Sequence, residues 1–266
     1  MDFIIEYYFD FGLMFDEFDR VLNGFWFTIK LSIIGGILAL VWGLVLAVLR
    51  QLPGKPLAPV RWLTIGYIDV FRGIPLLLVL FLVSGAMSAF AAPSQEIIPR
   101  SIGIPEWFGQ PSPFWYGVIS LTITYGAYMA EVYRAGIEAV PAGQMEAARS
   151  LGMSHGQSMR YVVVPQAIRK VIPPLLNDYI ALMKDTSLVS VLGLIEVVQA
   201  GRDVQSEFFN GSGLVFGALL FLAVTIPLAR LVDYLIRREQ RRTGRGGEAA
   251  EGPLQPLPTT SGGAAG

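Results

Sequence analysis

Between Leu31 and Leu49 no charged residue interrupts the chain, while Lys30 and Arg50 stand directly on either side. An α-helix rises 1.5 Å per residue, so a run of about 19 residues covers the roughly 30 Å hydrocarbon layer of a bilayer. Further apolar stretches, such as Ile74 to Phe81, alternate with short charged connectors along the 266 residues. Only 15% of residues are charged and 53% are hydrophobic, against about 25% charged in an ordinary soluble domain. The chain therefore reads as an all-α integral membrane protein with no separate globular domain.

Five crossings are expected, at Leu31–Leu49, Trp62–Ala91, Phe114–Ile137, Val171–Ile195 and Leu214–Ile236. Along the first, Gly35, Ala39, Gly43 and Ala47 form a stripe of small side chains that lets another helix approach closely, inside the bundle or at a subunit contact. Pro75 after Gly73 is expected to bend the second, just beyond Asp69 and Arg72. The fourth contains Pro173, Pro174, Asn177, Asp178, Lys184 and Asp185 and is expected to be broken. Gly213 and Gly217 at the start of the fifth form a small-residue packing motif.

Arg50, Lys55 and Arg61 place the first connector in the cytoplasm, as do Arg237, Arg238, Arg241, Arg242 and Arg245 for the tail. An even number of crossings must lie between them, which counts the polar fourth segment as one. The N-terminus then lies outside and the C-terminus inside. Residues 1–20 form an acidic extracytoplasmic segment, 21–240 the transmembrane domain, and 241–266 a tail not expected to fold. Asp2, Glu6 and Asp10 stand where a secretory signal would be basic.

Several chemistries are excluded. The chain has no Cys and one His, His155, which rules out thiol chemistry and His-cluster metal sites. It has no G-x-x-x-x-G-K-[ST] phosphate loop, no nucleophile with a base, and no basic aromatic patch for nucleic acid. No cofactor is expected, and the chain is not expected to be an enzyme.

The connector between the third and fourth crossings carries the most specific pattern. Pro141 suits a first helical turn and Gly152 a left-handed stop, so Val140–Gly152 reads as a short helix with both ends marked. Ser154 with Gln157 is a capping box opening a second helix toward Pro165. Helix, sharp turn, helix is the layout of a docking element rather than a spacer.

This connector resembles the signature loop of binding-protein-dependent ABC importer permeases: E-A-A, three residues, G, nine residues, then an aliphatic, any residue, an aliphatic and P. Glu146, Ala147, Ala148, Gly152, Val162, Val164 and Pro165 meet every position. Other stretches resemble the polar amino-acid branch of that family: Asn23–Lys30, Phe71–Leu76, Tyr128–Gly136, Pro165–Ala167 and Lys184–Leu188. The resemblance implies a type I importer permease fold in a bacterial inner membrane. It implies a cytosolic ABC ATPase, an extracytoplasmic solute-binding protein and a second permease subunit, self or paralogue, as partners, with membrane lipid around them and a polar amino acid as substrate. The residues implied in ATPase coupling are Gly143, Gln144, Glu146, Ala147, Ala148, Gly152 and Pro165.

Ionisable residues within a span cost roughly 2.5 to 3.5 kcal/mol each on insertion scales, so they need a partner or a wet path. Glu131 and Arg134, three apart, either pair to fix the end of the third crossing or join the pathway. Asn177, Asp178, Lys184, Asp185 and Thr186 are pathway candidates, alongside Arg72 near the bend; a purely structural network is the alternative. Asp178 and Asp185, seven residues apart, fall on one helix face. A secondary transporter or channel independent of ATP is the rival function, but five spans do not divide into paired repeats and such a carrier has no use for the connector. A structural or sensor membrane protein is a third reading, separated from the others by co-purification with an ATPase.

Overall fold

The computed structural model describes residues 2–52, 54–91 and 112–242, so the tail from 243 onward lies outside the described residues. All described elements are helical. Two short helices, α1 (Asp2–Tyr8) and α2 (Phe11–Asp16), precede the long α3 (Phe18–Arg50). They are followed by α4 (Ala58–Gly73), α5 (Leu76–Ala91) and α6 (Ser112–Glu138). The connector holds α7 (Ala142–Ser150) and α8 (His155–Ser158). A π-helical turn, Met159–Val163, then leads into α9 (Val164–Asp185), and a 3₁₀ stretch, Thr186–Leu192, follows it. The chain ends with α10 (Val197–Phe208) and α11 (Ser212–Arg242).

The core is the crossing of α3 and α6, with α9 packed across it. Leu31, Leu121, Met129 and Leu182 are completely buried there. The small-residue stripe of α3 creates this crossing: a Cβ on Gly43 would meet the Gly126 carbonyl oxygen and Met129 Cβ at 2.9 Å, so the backbones approach only because glycine is there. Gly213 and Gly217 serve likewise, fitting Val204 and Val197 of α10 against α11.

By length and composition, α3 and residues 212–241 of α11 can each cross a membrane, and the pair α4 with Leu76–Ala89 makes a third if it is one bent span. α6 and α9 owe their place to packing rather than to uniform apolarity.

The bend expected at Pro75 in the second crossing is present and interrupts the helix: α4 and α5 meet at 111°. Ile74 precedes Pro75, whose ring excludes it from the helical region, and it is extended at φ −95°, ψ 132°. The fourth crossing corrects the expectation, because it is not broken at Pro173–Pro174. α9 continues through both prolines, held by buried Val171, Pro173 and Leu175, and the α-helix ends only after Asp185. The 3₁₀ stretch that follows is stopped by Gly193 at φ 77°.

The N-terminal segment is anchored to the turn between α10 and α11. The Gly211 N–H donates to the Tyr7 carbonyl at 2.8 Å, and the Asp10 N–H donates to Ser212 Oγ at 2.9 Å. Asn210 donates to the Glu6 carbonyl, and Arg20 pairs with Glu207 at 2.8 Å.

Candidate functional site

The candidate residues fall into two groups, one in the connector and one at the break between α4 and α5. In the connector, α7 ends at Ser150 with Leu151 as its C-cap, and Gly152 takes the left-handed conformation at φ 84°. The Gly152 N–H donates to the Arg149 carbonyl and the Met153 N–H to the Ala148 carbonyl, the paired bonds of a Schellman stop. Two residues on, Ser154 Oγ accepts from the Gln157 N–H and Gln157 Oε1 accepts from the Ser154 N–H, completing the capping box. One compact turn thus ends one helix and starts the next.

α7 has an inner and an outer face. Met145 packs on Val140, Val163 and Ala167, and Ala148 is 4% exposed, so both hold α7 to its own connector. Gly143, Gln144, Glu146, Ala147 and Gly152 are exposed, as is Leu151 at 85%. Of the implied coupling residues, Ala148 therefore packs inward and Gln144 is bonded to Gln166 at 3.2 Å. Pro165 lies in the first turn of α9 and is exposed.

At the break, a cavity of about 420 Å³ opens between the end of α4, the start of α5, and the faces of α6 and α9. Arg72 enters it from α4, Thr124, Tyr125 and Tyr128 from α6, and Asp178 and Asp185 from α9. The Tyr125 hydroxyl donates to Asp185 Oδ2 at 2.8 Å. The Tyr128 hydroxyl donates to the Arg72 carbonyl at 3.2 Å, and the Arg72 guanidinium lies over the Tyr128 ring at 5.6 Å. Asp178 Oδ2 and Thr124 Oγ1 are buried without a hydrogen-bond partner. Buried polar atoms are normally satisfied, so two orphans on walls of the same cavity, one from α6 and one from α9, point to a polar occupant. The cavity offers a cation on one side and two carboxylates on another.

The structure brings together Arg72, Asp178 and Asp185, with both aspartates on one face of α9 as their spacing requires. It does not bring the other pathway candidates there. Lys184 is exposed, Thr186 is buried and donates to the Met183 carbonyl at 2.6 Å, and Asn177 faces a different cleft. Glu131 sits between Arg50 and Arg134, bonded to both, and Arg134 also reaches Glu138. This cluster ties the end of α3 to the end of α6 beside the connector. Thr124, Tyr125 and Tyr128 were not anticipated. The sequence signals for them are a polar, hydrogen-bonding patch inside an otherwise apolar crossing and, for Tyr128, its place at the start of the Tyr128–Gly136 stretch.

Comparison with known proteins agrees with this architecture. Residues 39–241 match the family described as "Binding-protein-dependent transport system inner membrane component". The chain is 36% identical over 231 residues to the probable glutamine ABC transporter permease protein GlnM of Bacillus subtilis (strain 168), covering 86% of this chain and 98% of that protein. It is 31% identical to the glutamate/aspartate import permease protein GltK of Escherichia coli O157:H7, covering 87% and 99%. Among solved structures, an amino acid ABC transporter with histidines superposes with a TM-score of 0.73 at 32% identity, over 86% of this chain and 98% of that one. The MetNI methionine ABC transporter in an inward-facing conformation shares the fold, with a TM-score of 0.61 at 20% identity over 81% and 96%. The chain, with its type I permease fold, belongs to the family of inner-membrane components of binding-protein-dependent transport systems.

Proposed function

We propose that this subunit carries α-amino acids across the inner membrane through the cavity at the α4–α5 break, and that its connector takes up the motion of a separate cytosolic ABC ATPase. The observation that carries the reading is the unpartnered, buried Asp178 Oδ2 in the same cavity as Arg72. No ion pair joins these two among the described residues. A free amino acid brings an ammonium and a carboxylate, which match the aspartates and Arg72 respectively. Glutamine, glutamate and aspartate, named for the relatives, differ in side-chain charge and share that backbone. This supports a site that reads the common part of the substrate, with finer selection made by an extracytoplasmic solute-binding protein.

The connector supports the ATPase partnership through its exposed outer face and its rigid stop, and the charge cluster at Glu131 ties the end of α3 to the end of α6 just before the connector begins. The reading includes five crossings, an outer N-terminus, an inner C-terminus and a second permease subunit, self or paralogue, completing the pathway. The arginine-rich end of α11 supports this sidedness.

The test is Asp178→Asn in the assembled complex reconstituted into vesicles. Loss of a charged hydrogen bond to substrate, worth about 1.5 to 3 kcal/mol, should weaken uptake affinity by roughly tenfold to a hundredfold. Because Asp178 Oδ2 has no protein partner, thermal stability should stay the same or rise. Normal uptake of every amino acid tested, with a cysteine at 178 sealed from small water-soluble reagents, would refute the pathway role; assembly failing with transport would assign Asp178 a structural one.

A further inference from the structure

The charged residues at the connector end of α9 and α11 have no role in either group above. Arg169 and Lys170 lie near the start of α9, and Arg238 lies near the end of the antiparallel α11. Two adjoining cavities of about 350 and 160 Å³ lie between these helices and share Arg169, Pro173 and Glu239. The smaller has an apolar floor of Ile172, Pro173 and Leu235 beneath Arg169 and Arg238. Neither arginine is ion-paired among the described residues. The Lys170 ammonium is held at the larger cavity by donating to the Ala139 carbonyl at 2.7 Å. Glu239 is the acidic residue on the rim, leaving three cations against one carboxylate.

Packing α9 against α11 thus gathers like charges from distant parts of the chain over apolar walls. Their repulsion is relieved by an anion, and the walls below suit hydrocarbon. A soluble anion satisfies only the rim, whereas an anionic phospholipid fills both levels. Basic pockets between transmembrane helices at the interface are where such headgroups are recognised.

We infer that the cleft between α9 and α11, rimmed by Arg169, Lys170 and Arg238, binds the phosphate headgroup of an anionic phospholipid, with an acyl chain along Ile172 and Leu235. The bound lipid joins the helix that carries Asp178 to the last crossing, one turn or so from the connector. This inference does not rest on the substrate reading, since the cleft is separate from the α4–α5 cavity.

The experiment uses the detergent-purified, assembled complex titrated with phosphatidylglycerol, phosphatidylcholine or inorganic phosphate. Bound lipid is counted by native mass spectrometry, and the unfolding midpoint is followed in parallel. Phosphatidylglycerol should be retained in preference to phosphatidylcholine and should raise the midpoint, and inorganic phosphate should do neither. Each arginine replaced, in Arg169→Gln and Arg238→Gln, should lower that preference by roughly fivefold, while Arg169→Lys should keep most of it. Equal retention of the two lipids by the wild type, or an undiminished preference in the Arg169→Gln, Arg238→Gln double variant, would overturn the inference. So would stabilisation by inorganic phosphate equal to that by phosphatidylglycerol, which would make this a site for a soluble anion. If the double variant does not assemble, the two single variants and Arg169→Lys give the same comparison.

Discussion

The connector and the α4–α5 cavity are built in opposite ways. The turn from α7 to α8 is made by hydrogen bonds spanning a few residues, from Gly152 to Arg149, from Met153 to Ala148 and between Ser154 and Gln157. The cavity is made by residues far apart in the chain: Tyr128 bonds Arg72 across 56 positions and Tyr125 bonds Asp185 across 60. One region is therefore controlled by backbone geometry at a point, and the other by where charges and hydroxyls are delivered by packed helices. A change in the first should alter how motion is transmitted, and a change in the second how tightly substrate is held.

The sharpest way to break this contrast is Gly152→Val. A Cβ at this position meets nothing within 4 Å, so the only obstacle is the left-handed φ of 84°. Forcing a β-branched residue into that conformation costs on the order of 1 to 3 kcal/mol, which depletes the intact turn by roughly fivefold to a hundredfold or more. Receptor-stimulated ATP hydrolysis and coupled uptake should fall together, while the apparent affinity of the residual uptake stays unchanged. Gly152→Asn, which tolerates the left-handed region, should retain most activity. Equal loss in the two variants would show that size or polarity matters here rather than φ.

A smaller effect is expected from Tyr125→Phe, which keeps the ring and removes the hydroxyl that donates to Asp185 Oδ2. A hydrogen bond to a charged group contributes about 1.5 to 3 kcal/mol, part of which water in the open cavity will replace. Uptake affinity should weaken by several-fold, with the ATP hydrolysed per amino acid transported unchanged. A changed stoichiometry with unchanged affinity would invert the division between the two regions.

The same contrast explains what could be read from the sequence. Pro141, Gly152, Ser154 and Gln157 each act through a bond or dihedral within their own turn, so their pattern specifies the connector without knowledge of the rest. The stripe of Gly35, Ala39, Gly43 and Ala47 was legible because a helix has a fixed period, although its partner α6 was not named by it. The break at Ile74 was underestimated: a proline inside a helix suggests a bend, but the pre-proline residue left the helical region altogether. The reverse happened at Pro173 and Pro174, where a local cost of about 3 kcal/mol per proline is offset by burial on both sides of α9. Thr124, Tyr125 and Tyr128 carry no charge, and only Tyr128 falls in a recognised stretch, at its very start. Only the packing of α6 against α4 and α9 gives them a common cavity, whereas Asn177, one residue from Asp178, is turned about 100° away.

The least effect, and the finest test of the contrast, belongs to Ser154→Ala. Ser154 Oγ accepts the Gln157 N–H, while Gln157 Oε1 accepts the backbone N–H of residue 154, which alanine retains. Only half of the capping box is lost, and such losses cost about 1 kcal/mol. The neighbouring Gly152 stop is untouched, and Ser158 can still donate to the carbonyl of residue 154. Hydrogen exchange at the Gln157 amide should therefore quicken by roughly fivefold, with coupled uptake close to that of the wild type. Ser154→Asp, which restores an acceptor at the same place, should return the protection. Unchanged exchange in Ser154→Ala would mean that the α8 start is held by packing of Ser158 and Val163 rather than by its cap. Loss of uptake as severe as in Gly152→Val would mean that the whole turn, and not the left-handed residue within it, transmits the motion.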